Sequence, residues 1–121
     1  MTLRVLAVDD SRTIRDLLRM ALSEAGHAVA LAEDGQQGLN LLDETDPDVI
    51  ISDINMPRLD GFGFIEAVRA RDRFRATPIL ILTTESAPEL KARARAAGAT
   101  GWIVKPFDAA KLIRAIDMVA G

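Results

Sequence analysis

The chain has 121 residues, enough for one compact domain, and its 49% apolar content excludes a disordered or fibrous polymer. A formal charge of -3 provides no basic stripe for nucleic acid, and the absence of cysteine rules out disulfides and thiolate metal sites while fitting a reducing compartment. No apolar run approaches the ~20 residues that span a bilayer, and Met1-Thr2-Leu3-Arg4 lacks the segments of a signal peptide, so the expectation is a soluble, cytoplasmic protein of one domain, residues 1–121.

Leu3 to Val8 is a short apolar run rich in branched residues and reads as a buried strand. Ile14, Leu17, Leu18, Ala21, Leu22 and Ala25 then recur at helical spacing, with Ser11 at the N-cap and Gly26 just past the end. His27 to Ala32 alternates weakly and predicts a second strand. Asp34 and Gly35 lead into a helix through Leu39, Leu41 and Leu42 that ends near Thr45-Asp46-Pro47. Val49-Ile50-Ile51 predicts a third strand, followed by a long loop over 53–60 and a helix carrying Phe62, Ile65 and Val68. Pro78 to Leu82 predicts a fourth strand, Glu89 to Ala97 an alanine-rich helix closed by Gly98, and Gly101 to Val104 a fifth strand. A last helix over Ala110 to Val119 turns Leu112, Ile113, Ile116 and Val119 inward. Five strand–helix alternations imply an α/β fold, a parallel sheet with helices on both faces.

In open parallel sheets, sites form beyond the carboxyl ends of the strands. The first strand is followed there by Asp9 and Asp10, the third by Asp53, the fourth by Thr83 and the fifth by Lys105. Only the second, followed by Glu33 and Asp34, ends without an evident role. Three carboxylates ~4 Å apart repel by about 4 kcal/mol per pair at an effective dielectric of 20. A divalent cation with a taste for hard oxygen, magnesium above all, resolves that repulsion. With Lys105 as the cation and Thr83 as a donor, the set suits phosphoryl transfer, and a carboxylate can itself be the nucleophile. Asp53 is the candidate, because it ends the central strand. Each residue also has a plain structural reading: Asp-Asp-Ser as a helix cap, Asp53 as a turn residue, Thr83 as a cap, Lys105 as a loop lysine. Their coincidence at four of five strand ends is what favours chemistry.

The motifs "VDDS" at 8–11, "SDINMPRLDG" at 52–61, "LTTE" at 82–85 and "GWIVKPF" at 101–107 resemble those of bacterial response regulator receiver domains, most of all the stand-alone, CheY-like chemotaxis regulators. The resemblance runs from about Leu3 to Val119. It implies a flavodoxin-like, doubly wound sheet of order 2-1-3-4-5 and a single receiver domain with no output domain. It implies Asp53 as phosphoacceptor, Asp10 and Asp53 as side-chain ligands of Mg2+, a ligand carbonyl from Asn55, and Asp9 acting largely through water. Thr83 would bind a phosphoryl oxygen, Lys105 would contact the phosphoryl group, and the Lys105–Pro106 bond would be cis. Thr83 and Trp102 would form the switch, with tryptophan standing where tyrosine or phenylalanine is commoner. Asn55, Thr84 and Glu85 would tune hydrolysis. The implied donor is a CheA-like histidine kinase, and the implied target a flagellar motor switch protein or another docking partner. The protein would act as a monomer, with neither nucleic acid nor membrane, promoting its own phosphorylation and dephosphorylation without being an enzyme in the ordinary sense.

A phosphorelay shuttle is the alternative within this class. A phosphatase of the haloacid dehalogenase type shares the aspartyl-phosphate chemistry, but its motif wants a second aspartate where Asn55 stands. A flavodoxin-like cofactor binder would find Asp9 and Asp10 repelling its phosphate. Other features read as structural: His27 has no assigned chemistry, Gly61-Phe62-Gly63-Phe64 starts a helix rather than a phosphate loop, and Arg12, Arg15 and Arg19 read as a solvated helix face.

Overall fold

The computed structural model describes residues 2–120. Strands β1 (Arg4–Val8), β2 (Ala28–Ala32), β3 (Val49–Ser52), β4 (Ile79–Thr83) and β5 (Gly101–Val104) alternate with helices α1 (Arg12–Glu24), α2 (Gly35–Thr45), α3 (Gly61–Arg69), α4 (Pro88–Ala97) and α5 (Ala109–Ala120). The strands pair in the order β2-β1-β3-β4-β5, all parallel. The order of winding therefore reverses between β1 and β3, the place where such sheets open a crevice.

The sheet divides two apolar layers. Leu6, Val8, Ile50, Ile79 and Ile81 point to one face and meet Leu39 and Leu42 of α2, Phe62, Phe64, Ile65 and Val68 of α3, and Ala94 of α4. Val5, Ala7, Val49, Ile51, Leu80 and Leu82 point to the other and meet Leu18 and Leu22 of α1 and Leu112 and Ile116 of α5. This is the period-two alternation of a strand buried on both sides. Ile113 and Val119 pack partly buried on the second layer, as their spacing predicted.

Most predicted elements stand within two residues of their expected bounds. Ser11 caps α1, its Oγ accepting the Ile14 N–H at 3.3 Å, and Gly26 follows the Ala25 C-cap with φ of +87°. His27 is a correction: it belongs to the exit from α1, not to the second strand. Its N–H donates to the Leu22 carbonyl, and its buried ring accepts the Leu3 N–H on Nδ1 at 3.1 Å. A 3-10 turn at Asp72–Phe74, which buries Phe74 between α3 and β4, was not expected.

Candidate functional site at the carboxyl edge of the sheet

Register brings the strand ends level. Val8 lies beside both Ala32 and Ser52, and Thr83 beside Val104. The backbone carries the ladder one residue further: Asp9 N–H donates to Ala32, Asp53 N–H to Val8 and Lys105 N–H to Thr83, at 3.0, 3.0 and 2.8 Å. Residues far apart in the chain thus leave the sheet at one edge.

Asp9 is buried and Asp10 exposed. One oxygen of Asp9 accepts the Ser11 N–H at 2.9 Å, which shapes the turn into α1. The Asp53 carboxylate is also buried. Its Oδ1 accepts the Ile54 N–H at 2.6 Å and, more distantly, the Asn55 N–H at 3.4 Å. Lys105 joins the two acids, its Nζ lying 2.7 Å from Asp9 Oδ2 and 2.8 Å from Asp53 Oδ2. Asp9, Asp10 and Asp53 each offer an oxygen within 4.8 Å of the others. The Lys105–Pro106 bond is cis.

Burial pushes the Asp9 carboxyl up from its usual range, and the hydrogen bonds from Lys105 and Ser11 only partly oppose it. For Lys105, burial pulls the ammonium down. The hydrogen bonds to Asp53 and Asp9, with their charges, outweigh that and hold it above the ordinary lysine value. Three carboxyl groups thus meet a single ammonium at a rim of hard oxygen donors, an acidic excess. The donor set fits one divalent cation such as magnesium.

These strand ends, this sheet order and this lysine-bridged acid cluster agree with one family, and residues 5–117 match its description, "Response regulator receiver domain". The chain belongs to the response regulator receiver family. It is similar to a "Probable chemotaxis protein CheY" of Rhizobium etli, 39% identical over 120 residues that cover 98% of this chain and 93% of the relative. It is similar to the solved structure of chemotaxis protein CheY4 of Vibrio cholerae, with 46% identity, a TM-score of 0.94, and coverage of 98% and 99% of the two chains. It is also similar to the receiver domain of sensor histidine kinase PA1611 from Pseudomonas aeruginosa, whose structure has a magnesium ion coordinated in its active site cleft. There the identity is 27%, the TM-score 0.92, and the coverage 100% and 99%.

Around the acid cluster this receiver assembles the remaining predicted residues. Thr83 is fully buried, and its Oγ1 accepts the Glu85 N–H at 3.4 Å. Glu85 Oε1 accepts from Asn55 Nδ2 at 3.1 Å, so a side-chain bridge links the loop after β3 to the loop after β4. Thr84 is exposed beside it. Trp102 is half-buried, and its indole N–H donates to the Glu85 carbonyl at 3.0 Å.

Asp34, read as the turn into the second helix, is 3% exposed, caps α2 through the Gln37 N–H at 2.8 Å, and pairs with Arg58 Nε at 3.1 Å. One reading of the sequence needs correction. Arg15, expected on a solvated face, is half-buried and donates Nη1 to the Asp9 carbonyl at 2.7 Å. The signal for Arg15 was its place one turn after the cap, which aims it back at the end of β1. No local signal pairs Asp34 with Arg58.

Proposed function

We propose that this receiver is a stand-alone response regulator. It would take a phosphoryl group onto Asp53 from a CheA-like histidine kinase in the cytoplasm and signal by docking to a partner, a flagellar motor switch protein being the favoured target. Similarity to the CheY relative, 39% identical, supports the chemotaxis reading. The observation that carries the chemistry is the lysine bridge, in which Lys105 Nζ touches Asp9 Oδ2 and Asp53 Oδ2 together.

With Oδ1 held by backbone N–H groups, the Asp53 carboxylate is fixed in plane, and Oδ2 accepts from Lys105 Nζ. Oδ2 is the attacking atom. It forms the new P–O bond as the donor's P–N bond breaks, and the donor imidazole leaves with the electron pair. Lys105 Nζ, already on Oδ2, is in reach of the incoming phosphoryl oxygens and offsets their charge. Thr83 Oγ1 turns a hydrogen bond to another of them. Asp10 and Asp53, with the Asn55 carbonyl, would hold magnesium, and Asp9 would support it indirectly. The bound ion supplies charge neutralisation, the main need of phosphoryl transfer. Asn55, Glu85 and Thr84 hold the positions that the family resemblance links to hydrolysis, and they would tune the lifetime of the acyl phosphate; the Asn55–Glu85 contact at 3.1 Å joins two of them.

Acetyl phosphate with magnesium should label the protein to one group per chain, detected by intact mass, and Asp53→Asn should abolish the label. Label entering Asp53→Asn at normal yield would remove Asp53 as the acceptor. Sustained turnover of a free phosphomonoester would replace the receiver reading with a phosphatase.

A further inference from the structure

Arg58 is a costly residue where it stands. It adopts φ of +67°, a region that a glycine or asparagine enters with less strain. The Leu59 N–H donates to the Pro57 carbonyl at 2.7 Å, so Arg58 is the middle of a three-residue turn. That turn is the tip of the loop over 53–60. From that turn the largely exposed Arg58 side chain reaches back to Asp34, a buried carboxylate whose other oxygen caps α2. The loop also lies flush on the start of α2. A Cβ added at Gly35 would come within 2.6 Å of the Leu59 carbonyl oxygen, so only glycine permits that approach.

The root of the same loop carries the acid site. Ile54 N–H is on Asp53 Oδ1, and the Ile54 carbonyl accepts the Gly61 N–H at 2.8 Å. Between root and tip sits Asn55. A side-chain ligand can swing to meet an ion, but a backbone carbonyl goes where the loop goes. Its aim is therefore set by what fixes the loop at both ends.

We infer that Asp34 and Arg58 form a latch that sets magnesium affinity by holding the loop that presents the Asn55 carbonyl. Both are positioning residues. The inference rests on the metal-binding reading above, and magnesium titration separates the two. Arg58→Gly is the informative variant, because glycine keeps the turn and removes only the tie. The latch predicts magnesium binding about tenfold weaker, the loss typical of outer-shell partners. A purely electrostatic role predicts the opposite, since deleting a cation lowers the repulsion that a dication feels. Asp34→Asn, which retains a capping oxygen, should weaken binding similarly, and the double variant should be no weaker than either single one. Arg58→Lys should recover part of the loss.

Binding of magnesium alone is read by calorimetry and by Trp102 fluorescence, with thermal unfolding as a check on the fold. Acetyl phosphate labelling of Arg58→Gly should be slow at low magnesium and reach the wild-type rate at saturation. Equal or tighter magnesium binding by Arg58→Gly, beside a normal wild-type response, overturns the latch alone. Absence of any wild-type magnesium response overturns the metal reading and the latch with it.

Discussion

Asp9 is 1% exposed, and burial opposes its charge more than the Lys105 and Ser11 contacts favour it, so its carboxyl titrates above the ordinary aspartate value of 3.8. The folded state then holds the Asp9 proton more tightly than the unfolded chain does. The linked stability is fully present below pH 3.8 and is lost as pH rises through the folded value. At neutral pH the ionised Asp9 is a cost to folding. Asp9→Asn should therefore unfold at a higher temperature than wild type at pH 7 in chelator, and the gap should narrow as pH is lowered towards 4. Circular dichroism melts across that range would measure it; a gap that widens on acidification contradicts the assignment. Lys105 does not mask this effect. Its ammonium, held above the ordinary lysine value by Asp53 and Asp9, does not titrate within this window.

The C-terminal end of α3 is tied to its neighbours by one side chain. Arg69 donates Nε and Nη2 to the Gly98 carbonyl at 3.1 and 2.8 Å and Nη1 to the Phe74 carbonyl at 2.8 Å, joining α3, the 3-10 turn and the end of α4. Gly98 itself has φ of +120°, and a Cβ there would meet Arg69 Cγ at 2.8 Å. Hydrogen bonds from a charged donor contribute about 1.5–3 kcal/mol each at most. Because two carbonyls lose their donor together, Arg69→Ala should cost about 2–3 kcal/mol in urea unfolding. Arg69→Lys should recover little, since one ammonium cannot span both acceptors. Gly98→Ala should destabilise by ~1 kcal/mol or more through the positive φ. These ties mark the limit of what the sequence made legible. The strands, the Ser11 cap and the acid cluster could be read because each follows from a local period or from the residue after a strand. Arg69 and Gly98 are 29 positions apart, and Asp34 and Arg58 meet only because the order β2-β1-β3 brings their loops together. No spacing encodes such a meeting. The turn at Asp72–Phe74 is three residues long, too short for any period to appear.

Across the whole molecule, a path of hydrogen bonds leads from the acid edge to the α4–β5 side. Glu85 is its centre: its N–H rests on Thr83 Oγ1 at 3.4 Å, its carboxylate on Asn55, and its carbonyl on the Trp102 indole. The Thr83 contact is the longest of these, close to the limit of a hydrogen bond. On the proposed function, a phosphoryl oxygen that draws Thr83 Oγ1 to itself would break this contact first, freeing the Glu85 segment and changing what the indole meets. The phosphoryl group would then bias the segment between two arrangements through its differential contact with Thr83. Trp102 is the only tryptophan, so its emission reports the change directly. Magnesium with beryllofluoride should shift that emission in the wild-type protein. In Thr83→Ala most of the shift should vanish, although Asp53 still accepts label from acetyl phosphate to full stoichiometry. In Glu85→Ala the backbone carbonyl remains, so the shift should persist while the lifetime of the acyl phosphate changes. An equal emission change in Thr83→Ala and wild type would mean that the indole responds to the ion or the anion by another route, and the coupling through Glu85 would have to be abandoned.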